Sequence, residues 1–106
     1  MDKVLGMIGL ARRAGRLYAG GDVVREAIKS RRAKLVIVAA DASEGTKKTI
    51  ADSCRFYETE YIEYSDKKSL GKCIGRESCA AAAVGDSGMA GALMDRISEA
   101  VQGKDR

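Results

Sequence analysis

A run of six apolar residues, Leu35–Ala40, constrains the fold more than any other stretch of this chain. Successive side chains of a strand point to opposite faces of its sheet, so a strand that is apolar at every position must be covered on both faces. The run ends at Asp41, and Ser43 is placed to cap a helix that follows. The stretch therefore predicts a central strand with helices packed above and below it.

The rest of the chain alternates between helical and strand patterns. Arg16–Gly21 is consistent with a short edge strand and turn, Glu60–Tyr64 with a second strand, and Cys79–Val84 with a buried strand of small residues. Ser65–Gly75 predicts a short capped helix ended by glycine. The order α-β-α-β-α-β-α-β-α in so short a chain predicts an α/β fold, a three-layer α/β/α sandwich with a small central mixed sheet of about four strands.

Helical spacing also predicts which side chains are buried. The first helix should bury Val4, Leu5, Ile8 and Ala11, and the second Val23, Val24, Ala27 and Ile28. The third should bury Ile50, Ala51, Cys54 and Tyr57, and the last Ala90, Leu93, Met94, Ile97 and Val101.

Length and composition limit the class of protein. The 106 residues suffice for one domain with a modest core, predicted to span residues 1–101 with a flexible tail at 102–106. No apolar stretch reaches the ~18 residues of a membrane span, and no secretory signal is visible, so we expect no membrane association and a cytoplasmic location. The three cysteines lack a C-x-x-C spacing and are interpreted as unpaired core residues: Cys54, Cys73 and Cys79.

Positive charge is concentrated in the first third of the chain. Residues 1–34 hold nine Lys or Arg against three acids, whereas residues 35–106 hold ten against twelve. This asymmetry favours an anionic partner, although a solvated basic surface remains the alternative. The chain has no histidine, which removes the usual general base and the commonest metal ligand. We therefore predict no metal and no cofactor.

Three loops are candidates for a site, because ligands of open α/β sheets gather beyond the carboxyl ends of the strands. They are Ala19–Asp22, Asp41–Gly45 and Gly85–Gly88. The glycines at 20 and 21 match neither the dinucleotide fingerprint nor a P-loop, so a nucleotide-binding enzyme has little support. Asp41 and Asp86 are interpreted as helix caps rather than as a catalytic carboxylate pair, and no catalytic set assembles elsewhere.

Three segments together resemble a known family: "RAKLVIVAADAS" (32–43), "SDKKSLGKCIG" (65–75) and "CAAAAVGD" (79–86), preceded by "AGGDVVREAI" (19–28). This order is similar to the ribosomal protein family of kink-turn RNA binders, which includes large-subunit proteins L7Ae and L30e, and among them to the small bacterial YlxQ-type members. The resemblance covers roughly residues 4–98. It implies the α/β/α sandwich predicted above and adds RNA as the partner.

The resemblance also implies where RNA would bind. The family grips a kinked helix with Gly-x-Asn-Glu-x-x-Lys at the start of its second helix, which aligns here with residues 20–26. Gly20 matches, whereas Asp22, Val23 and Glu26 stand in place of Asn, Glu and Lys. The loop at 76–80 aligns with the family's loop that packs on the flipped-out nucleotide. Together with nearby basic residues, the predicted RNA-binding set is Gly20, Gly21, Asp22, Arg25, Lys29, Lys67, Lys68, Arg76, Glu77, Ser78 and Cys79.

The leading hypothesis is thus a non-catalytic protein that binds structured RNA, with ribosomal RNA as one candidate and a protein of the translation machinery as a further partner. The alternative is a protein-interaction module on the same fold that has lost kink-turn recognition. The substitutions at Val23 and Glu26 favour the alternative, and the basic first third of the chain favours RNA.

Overall fold

Helices and strands alternate along the whole chain in the computed structural model, which describes the backbone of residues 2–103 and the side chains of residues 2–100. The predicted α/β order is confirmed. The elements are α1 (Lys3–Arg13), β1 (Leu17–Ala19), α2 (Gly21–Lys29), β2 (Leu35–Val38), α3 (Glu44–Phe56), β3 (Glu60–Glu63), α4 (Lys67–Cys73), β4 (Ala81–Val84) and α5 (Ser87–Gly103).

The four strands form one mixed sheet in the order β1-β4-β2-β3. Strands β2 and β3 are parallel, whereas β4 runs antiparallel to both of its neighbours, with Val84 opposite Leu17 on one side and Leu35 on the other. The two central strands, β2 and β4, are buried at every position, as predicted for apolar strands covered on both faces. The mixed sheet of the sequence prediction is confirmed.

Helices cover both faces of this sheet. Helices α2 and α3 pack against each other in one layer, and α1 contacts α4 and α5 in the other. The three alanines of β4, residues 81–83, have side chains too short to hold the helices away, so both layers approach the sheet closely. The buried apolar residues form a single connected core. The α/β/α sandwich is thereby confirmed.

The strand directions divide the molecule into two ends. The upper end holds the carboxyl ends of β1, β2 and β3 and the loop that leads into β4, so α2, α3 and α4 all begin there. The lower end holds the opposite strand ends, where α1, α2 and α3 finish and α5 begins. The two ends lie at opposite ends of the strands.

One predicted grouping is wrong. The loop Gly85–Gly88 was expected beside the other two strand-end loops, but it lies at the lower end because β4 is antiparallel to β2. For the same reason Asp41 and Asp86 occupy opposite ends of the molecule. A carboxylate pair made of these two residues is excluded by the topology.

Burial follows the predicted stripes with several exceptions. Val23 was assigned to the buried face of α2 but is 49% exposed, because it lies in the first turn, on the side of α2 turned away from the sheet. The predicted core positions that are only partly buried are Leu5, Ala51, Tyr57 and Met94. The side chain of Val101 lies outside the described residues. Helix α5 extends to Gly103. The flexible tail at 102–106 stays a prediction, since residues 104–106 lie outside the described range.

The cysteines are free, as predicted, but they are not equally buried. Cys54 and Cys79 belong to the core, whereas Cys73 is partly exposed. Burial raises the pKa of the Cys54 thiol to about 11 and also raises the pKa of the other two thiols. None of the three is therefore activated as a thiolate nucleophile at neutral pH.

Candidate nucleic-acid interface

The start of α2 is open to an external acceptor. Its N-cap residue is Gly20, with φ of 104°, and no side chain caps the helix. The first free N–H groups of a helix attract anions, because they lack intrahelical acceptors and carry the positive end of the dipole. The predicted contact at Gly20 and Gly21 therefore has helix geometry suited to a phosphate oxygen.

Side chains cap the N-termini of the other helices that the structure describes. Asp2 accepts from Val4 N in α1, Ser43 accepts from Thr46 N in α3, and Asp66 accepts from Ser69 N in α4. At α5, the carboxylate of Asp86 accepts from Met89 N. Helix α2 is thus the place where a ligand meets backbone donors without displacing a cap.

Asp22 and Arg25 form an ion pair on the first turn of α2, and the Asp22 side chain is 93% exposed. Exposed pairs of this kind contribute about 0–1 kcal/mol, so a phosphate can take the Arg25 guanidinium at small cost. The pair also keeps Arg25 beside the open helix start. The same ion pair partly neutralises the Asp22 carboxylate, which would otherwise repel a phosphate.

The loop before β4 brings Arg76 to this helix start. A Cβ built on Gly20 would lie 3.8 Å from Arg76 Nη1, so the guanidinium stands directly beside the turn. The two segments meet because β1 pairs with β4, and Gly20 N donates to Ala81 O at 3.0 Å. The sequence prediction named both segments, and the sheet topology brings them together.

This loop is fixed in place by α4. Gly71 approaches so closely that a Cβ there would lie 2.5 Å from the Cα of Ser78. Arg76 N donates to Gly71 O at 2.8 Å, and Cys79 N donates to Lys67 O at 2.9 Å. Arg76, Glu77 and Ser78 are exposed on this rigid support. Cys79 is only 4% exposed and its thiol faces Ala81 O, so the prediction that it contacts RNA conflicts with its burial.

The start of α4 is less suited to an anion. Lys67 and Lys68 are exposed, but Asp41 Oδ1 accepts from Lys67 N at 2.8 Å and Asp66 holds Ser69 N. Asp41 was expected to cap its own helix with Ser43; it caps the neighbouring helix instead, and Ser43 caps α3 alone. Hydrogen bonds from the Ser69 backbone and hydroxyl lower the pKa of Asp66 and keep it ionised. The α4 amides are therefore already satisfied by carboxylates.

A groove of about 330 Å³ lies between the starts of α2 and α3. Small or short polar residues of α3 line it opposite Gly21 and Arg25: Gly45, Thr46 and Thr49. Sequence reasoning missed these three. The available signal was the spacing of Gly45 and Thr49, four residues apart, which puts two small residues on one face of a helix.

Lys29 does not join the other predicted residues. It is the last residue of α2 and lies at the lower end, about 12 Å along the helix from Gly21 at 1.5 Å per residue. The upper end therefore gathers Gly20, Gly21, Asp22, Arg25 and Arg76 around one helix start, with Lys67, Lys68, Glu77 and Ser78 beside them. No helix that the structure describes has both the length and the apolar character required to cross a bilayer, and the described residues contain no group of His, Cys, Asp and Glu suited to hold a metal ion.

Comparison with known proteins agrees with the resemblance seen in the sequence. The chain is 39% identical over 91 residues to RNA-binding protein YlxQ of Bacillus subtilis, covering 86% of this chain and 91% of that protein. It is 39% identical over 75 residues to RNA-binding protein YlxQ of Enterococcus faecium, covering 71% and 73%. None of these names is that of an enzyme, which agrees with the prediction of a non-catalytic protein.

Two solved structures have the same fold. A protein of unknown function from Bacillus halodurans superposes with a TM-score of 0.90 at 32% identity, over 93% of this chain and all of the other. The 15.5 kD RNA-binding protein of Giardia lamblia superposes with a TM-score of 0.75 over 90% of this chain and 82% of the other, and at 17% identity it supports the fold alone. A model of the ribosomal protein L7Ae/L30e/S12e/Gadd45 family matches residues 2–93. The chain belongs to the ribosomal protein L7Ae/L30e/S12e/Gadd45 family.

Proposed function

We propose that this chain is a non-catalytic RNA-binding protein that docks the start of α2 and the loop Arg76–Ser78 against a kinked RNA helix. The observation that carries the proposal is the uncapped start of α2 beside the Arg76 guanidinium. Backbone N–H groups and a planar guanidinium together suit a phosphate, the first as directional donors and the second as a bidentate cation. The names of the relatives from Bacillus and Enterococcus support RNA as the partner.

The remaining details belong to the same proposal. Residues 1–101 act as one RNA-binding domain, the partner is a structured RNA with ribosomal RNA as a candidate, and the protein works in the cytoplasm, where free thiols persist. The groove between α2 and α3 accepts the sugar-phosphate backbone next to the kink. The small side chains that line it permit a close approach.

A gel-shift comparison of a kinked RNA helix with a plain duplex of equal length tests the proposal. Arg76→Ala should weaken binding to the kinked RNA and reduce the slope of log K against log salt by about 0.9 for each lost phosphate contact. Arg25→Ala should have the same effect. Lys48→Ala is the matched control, because Lys48 is exposed on the outer side of α3 and pairs only with Asp52. Equal affinity of the wild type for both RNAs, or Arg76→Ala and Arg25→Ala affinities equal to that of Lys48→Ala, would contradict the proposal.

A gain of affinity tests the alignment of α2 with the family motif. Val23→Glu with Glu26→Lys supplies the acceptor and the cation that the family motif has there. Both side chains are exposed, so the double change leaves the core intact. With about 1–3 kcal/mol for each charge-assisted contact, binding to kinked RNA should tighten about tenfold or more, and binding to a plain duplex should change little. A folded variant without this gain would show that α2 docks differently.

One observation favours the alternative of a protein-interaction module. Val23 is 49% exposed and borders a groove of about 400 Å³ that Tyr18 and Ala27 also line, an apolar surface that RNA phosphates do not require. Val23→Ser, which removes the apolar side chain without adding a charge, separates the two functions. It should leave the kinked-RNA affinity within about threefold under the RNA proposal, since Val23 makes no charge-assisted contact, and it should abolish capture of a protein partner under the alternative.

A further inference from the structure

Most of the positive charge of the first third of the chain lies at the lower end, away from the interface described above. Six cations define this basic cluster: Arg12, Arg13, Arg16, Arg31, Arg32 and Lys34. All six are exposed, and none forms an ion pair with any acid that the structure describes. The cluster is therefore an unneutralised positive surface.

Backbone contacts hold the cluster together. Gly85 N donates to Arg16 O at 2.8 Å, and Lys34 N donates to Val84 O at 2.8 Å. A Cβ on Gly85 would lie 3.5 Å from Arg32 O. The backbones of Arg16, Arg32 and Lys34, from two segments of the chain, thus lie beside the end of β4. Lys34 Nζ also donates to Arg31 O at 3.3 Å, which adds the turn after α2 to the same surface.

The acids of the lower end do not cancel this charge. Glu60 pairs with Leu35 and so lies near Lys34, and Glu26 lines one groove with Arg32, but neither acid forms an ion pair with these cations. The Asp86 carboxylate accepts a hydrogen bond from Met89 N at the start of α5. At the upper end the balance is different, because Arg25 pairs with Asp22, and Lys67 and Lys68 share a groove with two carboxylates. The larger group of cations without an ion pair to a described acid is therefore at the lower end.

Helix dipoles account for only part of the cluster. Arg12 and Arg13 lie in the last turn of α1, where cations favourably oppose the negative end of the dipole. Arg31 also lies at helix ends, because it follows the C-cap of α2 and donates to the carbonyl of Tyr57, the C-cap of α3. Arg16, Arg32 and Lys34 lie outside the helices. Their number and exposure require another explanation.

An exposed aromatic residue borders the cluster. Phe56 is 78% exposed and packs edge-on against Tyr57, with ring centroids 4.9 Å apart. Arg31 lies over the Tyr57 ring at 5.6 Å from its centroid and donates from Nη1 to Tyr57 O at 3.2 Å. Unpaired bases stack on exposed aromatic rings beside cations that neutralise their phosphates.

We propose that the basic cluster, with Phe56 as a stacking platform, binds a single-stranded RNA segment at the lower end of the molecule. A base stacks on Phe56, and the adjacent phosphates contact Arg31, Arg32 and Lys34. This surface is separate from the start of α2, so it goes beyond the proposed function and is tested independently of it. The two surfaces together allow one protein to hold a folded RNA element and a flanking single strand.

Filter binding to an oligouridine of about 15 nucleotides, close to the largest site of a small single-strand binding domain, tests the proposal. Arg31→Gln/Arg32→Gln/Lys34→Gln should weaken binding about tenfold or more and reduce the salt slope by about 2, at about 0.7 per contact. Phe56→Leu keeps an apolar side chain without the ring and should weaken binding about fivefold. The matched control, with the same change in net charge elsewhere, is Lys3→Gln/Lys48→Gln/Arg96→Gln.

Two further measurements keep the outcomes distinct. If the Arg31–Tyr57 contact is necessary for folding, the first triple variant will not fold. Arg12→Gln/Arg13→Gln/Arg16→Gln then repeats the test with that contact intact. Arg76→Ala should leave oligouridine binding unchanged, and the cluster variants should keep their preference for a kinked helix over a duplex. Equal affinities and salt slopes for the cluster variants and the control would overturn the proposal. An unchanged Phe56→Leu affinity would overturn the stacking contact.

Discussion

Gly71 offers the sharpest test of how the structure positions the loop Arg76–Ser78. A Cβ at this position would lie 2.5 Å from Ser78 Cα, 2.6 Å from its N and 2.7 Å from its C. Backbone atoms cannot rotate away as a side chain can, so Gly71→Ala must push the loop and α4 apart. The variant therefore tests the packing on which the placement of Arg76 depends.

The magnitude follows from two opposing effects. Replacing a helical glycine by alanine gains about 1 kcal/mol of helix propensity. Overpacking costs about 1–3 kcal/mol, and a clash with three backbone atoms belongs at the upper end of that range. The net expectation for Gly71→Ala is a loss of about 2 kcal/mol, which lowers the melting temperature by about 10 °C in a domain of this size.

Gly91→Ala is the matched control. Gly91 is also helical, and a Cβ there would meet nothing within 4 Å, so only the propensity gain of about 1 kcal/mol applies. Thermal melts followed by circular dichroism should separate the two variants by about 3 kcal/mol of unfolding free energy. If Gly71→Ala stabilises the protein as much as Gly91→Ala does, then α4 does not pack against the loop and the reasoning is refuted.

Three further predictions concern the caps and the thiols. Gly20→Ala should destabilise the fold by about 1–2 kcal/mol, since its φ of 104° is unfavourable for a side chain, and a Tm equal to wild type would contradict the turn geometry. Asp41→Ala should cost about 1 kcal/mol by removing the acceptor of Lys67 N, although Asp66 still caps α4; a urea midpoint unchanged from wild type would argue against the contribution of Asp41. In native protein, Cys73 should react with a thiol reagent well before the two buried cysteines. Burial raises the pKa of Cys54 from 9.0 to about 11, so the fold favours the protonated thiol. The free energy of unfolding should therefore be unaffected by this group below pH 9 and should fall as the pH rises from 9 to 11. Cys54→Val should reduce this fall in melts at alkaline pH.

The elements themselves were readable from local patterns. Leu35–Ala40 is apolar at every position, and such a run has few stable environments besides the centre of a covered sheet. Ser43 and Asp66 are capping residues placed before apolar periodicity, and both cap the helices that follow them. Local signals of this kind depend on interactions within a few residues, so they can be read from the sequence without knowledge of the tertiary structure.

What the patterns left open is the direction of β4 and everything that depends on it. Nothing within Cys79–Val84 distinguishes a parallel from an antiparallel strand, because both bury the same small side chains. The antiparallel direction moved Gly85–Gly88 and Asp86 to the lower end and brought the loop Arg76–Ser78 beside Gly20. The parallel pairing of β2 with β3 likewise placed Asp41 beside the amide of Lys67 rather than at the start of its own helix.

The sequence by itself therefore determined the alternation of helices and strands, the apolar core and the excess of positive charge in the first third. Only the tertiary structure decided where that charge lies. Arg16 and Arg32 are sixteen residues apart, and the backbones of both approach Gly85 because β1 and the start of β2 both flank β4. Arg76, far along the chain, joins the start of α2 for the same reason. Contacts between distant segments depend on the pairing of strands, which short-range patterns do not encode.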